Sequence, residues 1–225
     1  MNSVIISLGG SLIVPDTINV DYLKQFRTLV INYLKNKENQ LILVCGGGSV
    51  CRKYQDAAKQ LGVESTEDLD QIGIEATKLN ASLVRSLFPR LAYPEIIYNP
   101  TKKLKTDKQV VVGCGYKPGY SSDRDAVFLA QNFTSKTILN LTNTSYVYDK
   151  DPKLPGARPF TTLSWKQYRT IIAKSWTPGL NVPFDPVASK DAEKLKLRVT
   201  VLNGRNLDNV ERCLDHKNFI GTTIG

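Results

Sequence analysis

The sequence predicts an α/β protein, a three-layer α/β/α sandwich around a largely parallel sheet. Short runs that are apolar at every position alternate with stretches of helical periodicity almost from end to end. Strands of that kind belong to sheets covered on both faces. In addition, three of the runs lead into glycine-rich or small-residue loops, which fits the carboxyl edge of such a sheet, where ligands gather.

The elements follow in order. Val4-Ile5-Ile6-Ser7-Leu8 reads as a buried strand, and Tyr22, Phe26, Leu29, Val30, Tyr33 and Leu34 then recur at helical spacing. Leu41-Ile42-Leu43-Val44 is a second strand, with a helix from about Ser49. Leu69, Ile72, Ala76, Leu79, Leu83 and Leu87 outline a long amphipathic helix that Pro89 closes. Glu95-Ile96-Ile97-Tyr98 and Val110-Val111-Val112 are the next strand candidates. A helix through Ala126, Val127, Leu129 and Ala130 leads to the strand Thr137–Leu141. Ser164 and Gln167 have capping-box spacing. A helix over Lys190–Leu195, a strand over Val199–Leu202 and a helix from Asn206 complete the pattern.

At 225 residues, the chain suits one domain or two closely fused lobes, and 41% hydrophobic with 23% charged residues is a globular balance. No apolar run is long enough to span a bilayer, and the first residues lack the basic region of a secretion signal, so a cytoplasmic protein is expected. Cys45, Cys51, Cys114 and Cys213 form neither a disulfide framework nor a CxxC motif, and His216 is the sole histidine, so no metal set of cysteine and histidine is expected. The net charge of +9 fits a protein that handles anions. Nucleic acid is not the expected partner, because the basic residues are not interleaved with aromatics.

The chemistry concentrates in the loops Gly9-Gly10-Ser11, Gly46-Gly47-Gly48-Ser49 and Gly113–Asp123. Glycine lets backbone N–H groups approach phosphate oxygens, and a following helix N-terminus adds positive potential. Arg52, one turn into the helix after the second loop, can reach a phosphate or simply lie on the surface. Neither a Walker A motif nor a GxGxxG fingerprint is present, which argues against a P-loop kinase and a dinucleotide enzyme. Three such loops at strand ends suggest more phosphates than one ligand needs.

Taken in order, these motifs resemble the amino-acid kinase superfamily, and within it the short type of uridylate (UMP) kinase. The resemblance spans Leu8–Pro15, Gly46-Gly47-Gly48 with Arg52, Ile72–Ala81, Lys117–Asp123, Thr142-Asn143 with Tyr148–Pro152, Asp185–Lys190 and Gly221–Ile224. It implies the amino-acid kinase fold as a single domain over residues 1–225, with an acceptor-binding N-terminal half and an ATP-binding C-terminal half. It also implies the reaction ATP + UMP giving ADP + UDP, with Mg²⁺ accompanying ATP, and a homo-oligomer, a hexamer by family resemblance. Gly9, Gly10, Ser11, Gly48 and Arg52 would hold the phosphates of ATP, and Thr142, Tyr148 and Asp151 its adenosine end. Gly47, Asp70 and the stretch Tyr116, Lys117, Pro118, Gly119, Tyr120, Ser121 and Ser122 would hold UMP.

The chain departs from the family pattern at three places. Ser7 stands where many members carry a lysine on the transferring phosphate, which makes Lys117 and Lys190 the candidate catalytic cations. Thr144-Ser145-Tyr146 replaces the usual Val-Asp-Gly. Ser121-Ser122-Asp123-Arg124-Asp125-Ala126 is longer than the commoner Thr-Thr-Asp-Ala, so either Asp123 or Asp125 takes the helix-start role. The alternatives are another kinase of this fold, acting on isopentenyl phosphate, glutamate, aspartate or carbamate, and a non-catalytic nucleotide or anion binder. No histidine precedes His216, which counts against isopentenyl phosphate.

Overall fold

The computed structural model describes residues 1–172 and 182–225. Its first half runs β1 (Asn2–Leu8), α1 (Gly10–Ile13), α2 (Val20–Tyr33), β2 (Asn39–Cys45), α3 (Gly48–Gln60), α4 (Thr66–Ser86) and β3 (Val110–Gly113). There follow α5 (Ser122–Asn132), β4 (Thr137–Thr142), β5 (Val147–Tyr148), β6 (Pro159–Phe160), β7 (Thr162–Leu163), α6 (Trp165–Ile171), α7 (Pro186–Lys194), β8 (Arg198–Asn203), α8 (Leu207–Leu214) and β9 (Thr222–Ile224).

The main sheet has the strand order β3-β2-β1-β4-β8-β9-β7. β3, β2, β1, β4 and β8 are mutually parallel, while β9 pairs antiparallel with β8. Alternate side chains of the central strands enter two cores. Ile6, Leu8, Leu41, Leu43, Leu139 and Leu141 meet α2, α4 and α8 on one face. Ile5, Ile42, Val44, Ile138, Val199 and Val201 meet α5, α6 and α7 on the other. This two-sided burial is why apolar residues occupy successive positions of the strands rather than alternate ones. Each such side chain, fully buried, contributes about 1.5–3 kcal/mol relative to exposure.

Two expectations are corrected. Glu95–Tyr98 forms no strand: Ile97 makes one isolated bridge to Gly113 and Ala92 another to Val110. Pro94 and Pro100 flank the segment and cannot donate to a ladder, so pairing does not extend. The buried stripe of α4 also differs in part from the expected one: Leu69 and Ala76 are buried, and Ile72, Leu83 and Leu87 are half-buried. Leu69, Ile74, Ala76, Thr77, Asn80, Ala81 and Val84 face inward, whereas Leu79 is exposed. Thr77 and Asn80 are buried because they hold loops: Thr77 Oγ1 accepts from Gly115 N–H at 2.8 Å, and Asn80 Nδ2 donates to the Gly46 and Gly47 carbonyls at 2.8 and 3.1 Å.

Candidate active site

The loops after β1, β2, β3 and β4 enclose a cleft of about 640 Å³ at the carboxyl edge of the parallel strands. Two of them cross backbone against backbone. Gly46 N–H donates to the Leu8 carbonyl and Gly9 N–H to the Leu141 carbonyl, both at 3.0 Å. A Cβ on Gly10 would overlap the Gly48 nitrogen and lie 2.6 Å from the Gly46 carbonyl carbon, so only glycine admits the crossing. Gly48 adopts φ +67°, and a Cβ there would sit 2.5 Å from the Gly10 carbonyl oxygen. α3 starts at this loop, so its N-terminal dipole favours an anion in the cleft. Arg52 adds the only basic side chain among the described residues lining the cleft.

On the far wall, Ser121 caps α5, its hydroxyl accepting from Arg124 N–H at 3.3 Å, which delivers Ser122 and Asp123 to the cleft. Asp123 Oδ1 accepts from Ser7 Oγ at 3.2 Å and Oδ2 from Asp185 N–H at 2.9 Å. Burial pushes the Asp123 carboxyl up to about 7; the Asp185 N–H restrains that rise, the Asp185 carboxylate adds to it and the Ser7 hydroxyl restrains it. Asp185 in turn caps α7, accepting from Ala188 N–H at 2.6 Å with Pro186 in the first helical turn.

The two candidate helix-start aspartates therefore divide. Asp123 faces the cleft, whereas Asp125 lies wholly buried, with Oδ2 accepting from Tyr116 N–H at 3.2 Å and Oδ1 unpartnered. Burial pushes the Asp125 carboxyl up to about 8 from its ordinary 3.8, against the Tyr116 hydrogen bond. Between those values the folded chain keeps a proton that the unfolded chain has released, so this group lowers stability as pH rises through the window. Asp125→Asn is expected to gain melting temperature relative to the wild type progressively as pH rises from about 4 to about 8, by several degrees in all. An offset in melting temperature independent of pH would refute this.

Asp70 Oδ2 accepts from Gly119 N–H at 2.8 Å, tying α4 to the 116–122 loop, which turns at Gly119 with φ +81°. Burial raises the Asp70 carboxyl against the pull of that hydrogen bond.

Of the residues singled out in the sequence, Gly9, Gly10, Ser11, Gly48, Arg52 and Thr142 come together in the cleft, and so do Gly47, Asp70, Tyr120, Ser121 and Ser122. Tyr116, Lys117, Pro118 and Gly119 form the outer part of their loop. Tyr148 pairs with Pro159 in the β5–β6 hairpin, and Asp151 Oδ1 accepts from Lys153 N–H at 3.0 Å in the turn beyond it. Lys117 Nζ lies 4.8 Å from the Tyr120 ring centroid and 5.4 Å from that of Tyr116, and Lys190 is exposed on α7; neither lines the cleft. The sequence reading did not single out Ser7 as a partner of Asp123, nor Asn80 and Thr77. Asn80 was detectable as a polar residue within the inward stripe of an amphipathic helix.

The donor set suits Mg²⁺. Among the described residues no cluster of three His, Cys, Asp or Glu forms a cage. Asp123 brings one carboxylate to the cleft beside Asp185, whose buried Oδ2 has no partner. One or two carboxylates with substrate phosphates are the usual surroundings of this ion.

A family model described as the amino acid kinase family matches residues 2–203. A uridylate kinase from Methanocorpusculum labreanum is 32% identical over 100% of this chain and 96% of its own length. One from Thermoplasma acidophilum is 32% identical over 99% and 96%. The crystal structure of uridylate kinase from Archaeoglobus fulgidus superposes with a TM-score of 0.82 at 30% identity, covering 99% of each chain. Among the described residues no helix is long and apolar enough to cross a membrane.

Proposed function

Because this chain belongs to the amino acid kinase family, we propose that it transfers the γ-phosphoryl group of ATP to UMP, releasing ADP and UDP. The observation that carries the reading is the backbone crossing of Gly10 with Gly46 and Gly48, a shared cradle for two phosphate-bearing ligands at one cleft. Likeness to proteins named uridylate kinase over the full chain supports UMP as acceptor.

On this reading a UMP phosphate oxygen forms the new bond to the γ-phosphorus, and the bond from that phosphorus to the β–γ bridging oxygen breaks. The acceptor oxygen is already ionised, so no strong general base is needed, and the protein's work is in-line positioning and charge compensation. Gly9, Gly10, Ser11, Gly48 and Arg52 take the phosphates of ATP, and Thr142, Tyr148 and Asp151 its adenosine. Gly47, Asp70 and residues 116–122 take UMP; a single domain over residues 1–225, with an acceptor-binding N-terminal half and an ATP-binding C-terminal half, belongs to the same reading, the ATP phosphates being met by loops of the first half. Asp123 and Asp185 would hold Mg²⁺, which when bound with ATP would supply neutralisation of the phosphate charge. Arg52 already stands in the cleft as a cation; Lys117 and Lys190 are the further candidates and need to swing inward. A cytoplasmic setting, a part in pyrimidine nucleotide synthesis and a hexameric assembly belong to the same reading.

The test is ADP release from ATP and Mg²⁺ with UMP, CMP, dUMP, isopentenyl phosphate or glutamate. Turnover far higher with UMP is expected. Faster turnover with another acceptor overturns the assignment, and nucleotide binding without turnover makes the chain a sensor.

A further inference from the structure

Among the described residues lining the cleft, Tyr120 is the one aromatic side chain. Its ring is contacted by Arg124 and Phe128, and also by the Tyr116 ring, edge-on at 5.9 Å, and by Lys117 Nζ at 4.8 Å, which a base resting on the ring would displace. The Arg124 guanidinium carbon lies 4.2 Å from the Tyr120 ring centroid, and the Phe128 centroid lies 6.0 Å from it. Arg124 is itself fixed, because its Nε donates to Asp191 Oδ2 at 3.1 Å, with 24% and 23% of the two side chains exposed. Asp191 belongs to α7, so a chain of contacts runs from α7 through Arg124 to the ring. Arg124 does not line the cleft.

The glycine loops offer backbone to phosphates but little flat apolar surface, and Tyr120 provides such a surface on the acceptor side. We propose that Tyr120 is the surface on which the acceptor's base rests and that Arg124, held by Asp191, is the positioning residue that fixes it. The proposal rests on a nucleoside monophosphate acceptor and goes further by naming what recognises its base. A planar guanidinium suits this task, since it stacks on an aromatic face while its edge binds a carboxylate, which a lysine ammonium does not reproduce.

Equilibrium titration with UMP and with ribose 5-phosphate, which lacks the base, provides the test alongside steady-state kinetics. Tyr120→Leu and Arg124→Met are each expected to weaken UMP binding and raise its KM about 10-fold, with KM for ATP changed by less than about 2-fold. Ribose 5-phosphate affinity is expected to stay constant across the series. Arg124→Lys recovers part of the loss, and Asp191→Asn adds nothing to Arg124→Met because both act through one contact. Equal losses for UMP, ribose 5-phosphate and ATP, or a lowered melting temperature with UMP affinity intact, would make the Arg124 brace merely structural and overturn the proposal. Wild-type protein that binds UMP no better than ribose 5-phosphate also overturns it. Failure of UMP turnover in the wild type is a separate result, which removes the kinase reading while the titrations still decide the brace.

Discussion

Gly10→Ala is expected to reduce turnover by about 100-fold or more and to destabilise the fold by about 3 kcal/mol. The new Cβ would meet the Gly48 nitrogen and the Gly46 carbonyl group, all main-chain atoms held by strand ends. The loops can only separate, and separation dismantles the phosphate cradle. For a domain of this size the loss corresponds to a fall of roughly 6–12 °C in melting temperature. Gly62→Ala is the control: its φ of +87° is strained for alanine, but its Cβ would meet nothing within 4 Å and the site is remote from the cleft. That variant is expected to lose about 1–2 kcal/mol with turnover unchanged. Activity of Gly10→Ala within a few-fold of wild type would show that the crossing does not position the phosphates.

Asp123→Asn is the second large effect, and its signature is opposite in stability. The carboxylate faces the cleft between Ser7 and Asp185, so its removal is expected to lower kcat by about 100–1000-fold, the scale of losing one preorganised electrostatic contact. Because the carboxyl is pushed up to about 7, wild-type turnover in the free-enzyme profile rises with pH through that value as Asp123 ionises. The variant profile is expected to lack this rise. Stability runs the other way: a carboxyl raised by burial lowers stability as pH climbs from its ordinary value of 3.8 to about 7. Above about pH 7 the asparagine variant should therefore melt no lower than the wild type. A variant that loses activity only by unfolding early would rule out this role for Asp123.

The strands were legible where burial on both faces leaves no choice of side chain, as in β1, β2 and β4. β9 was not, because Thr222–Ile224 owes its place to pairing with β8 and β7, and three residues carry too little pattern to announce that. The Glu95–Tyr98 segment has the composition of a strand but lies between two prolines, and the sheet ends beside it with isolated bridges. In the site, the glycine loops and Arg52 could be read because their chemistry is local: a strand end, a turn, a helix start. The contacts of Asp123 could not, since Ser7 lies 116 residues away and Asp185 lies 62. The resemblance supplied the order of the motifs, but the division of labour between Asp123 and Asp125 required the turn of α5, which sends one to the cleft and the other beneath Tyr116.

The crossing of the two glycine loops also bears on how this sequence can drift. At Gly113 an added Cβ would touch the Leu129 side chain at 3.1 Å, so a smaller residue at position 129 opens a route to substitution. At Gly10 and Gly48 the colliding atoms are main-chain, and no side-chain change elsewhere in the protein removes them. These positions have no compensating neighbours. Descendants of this chain can exchange residues throughout both cores while the two glycines stay as they are, and they can leave the glycine state only by giving up the loop geometry itself.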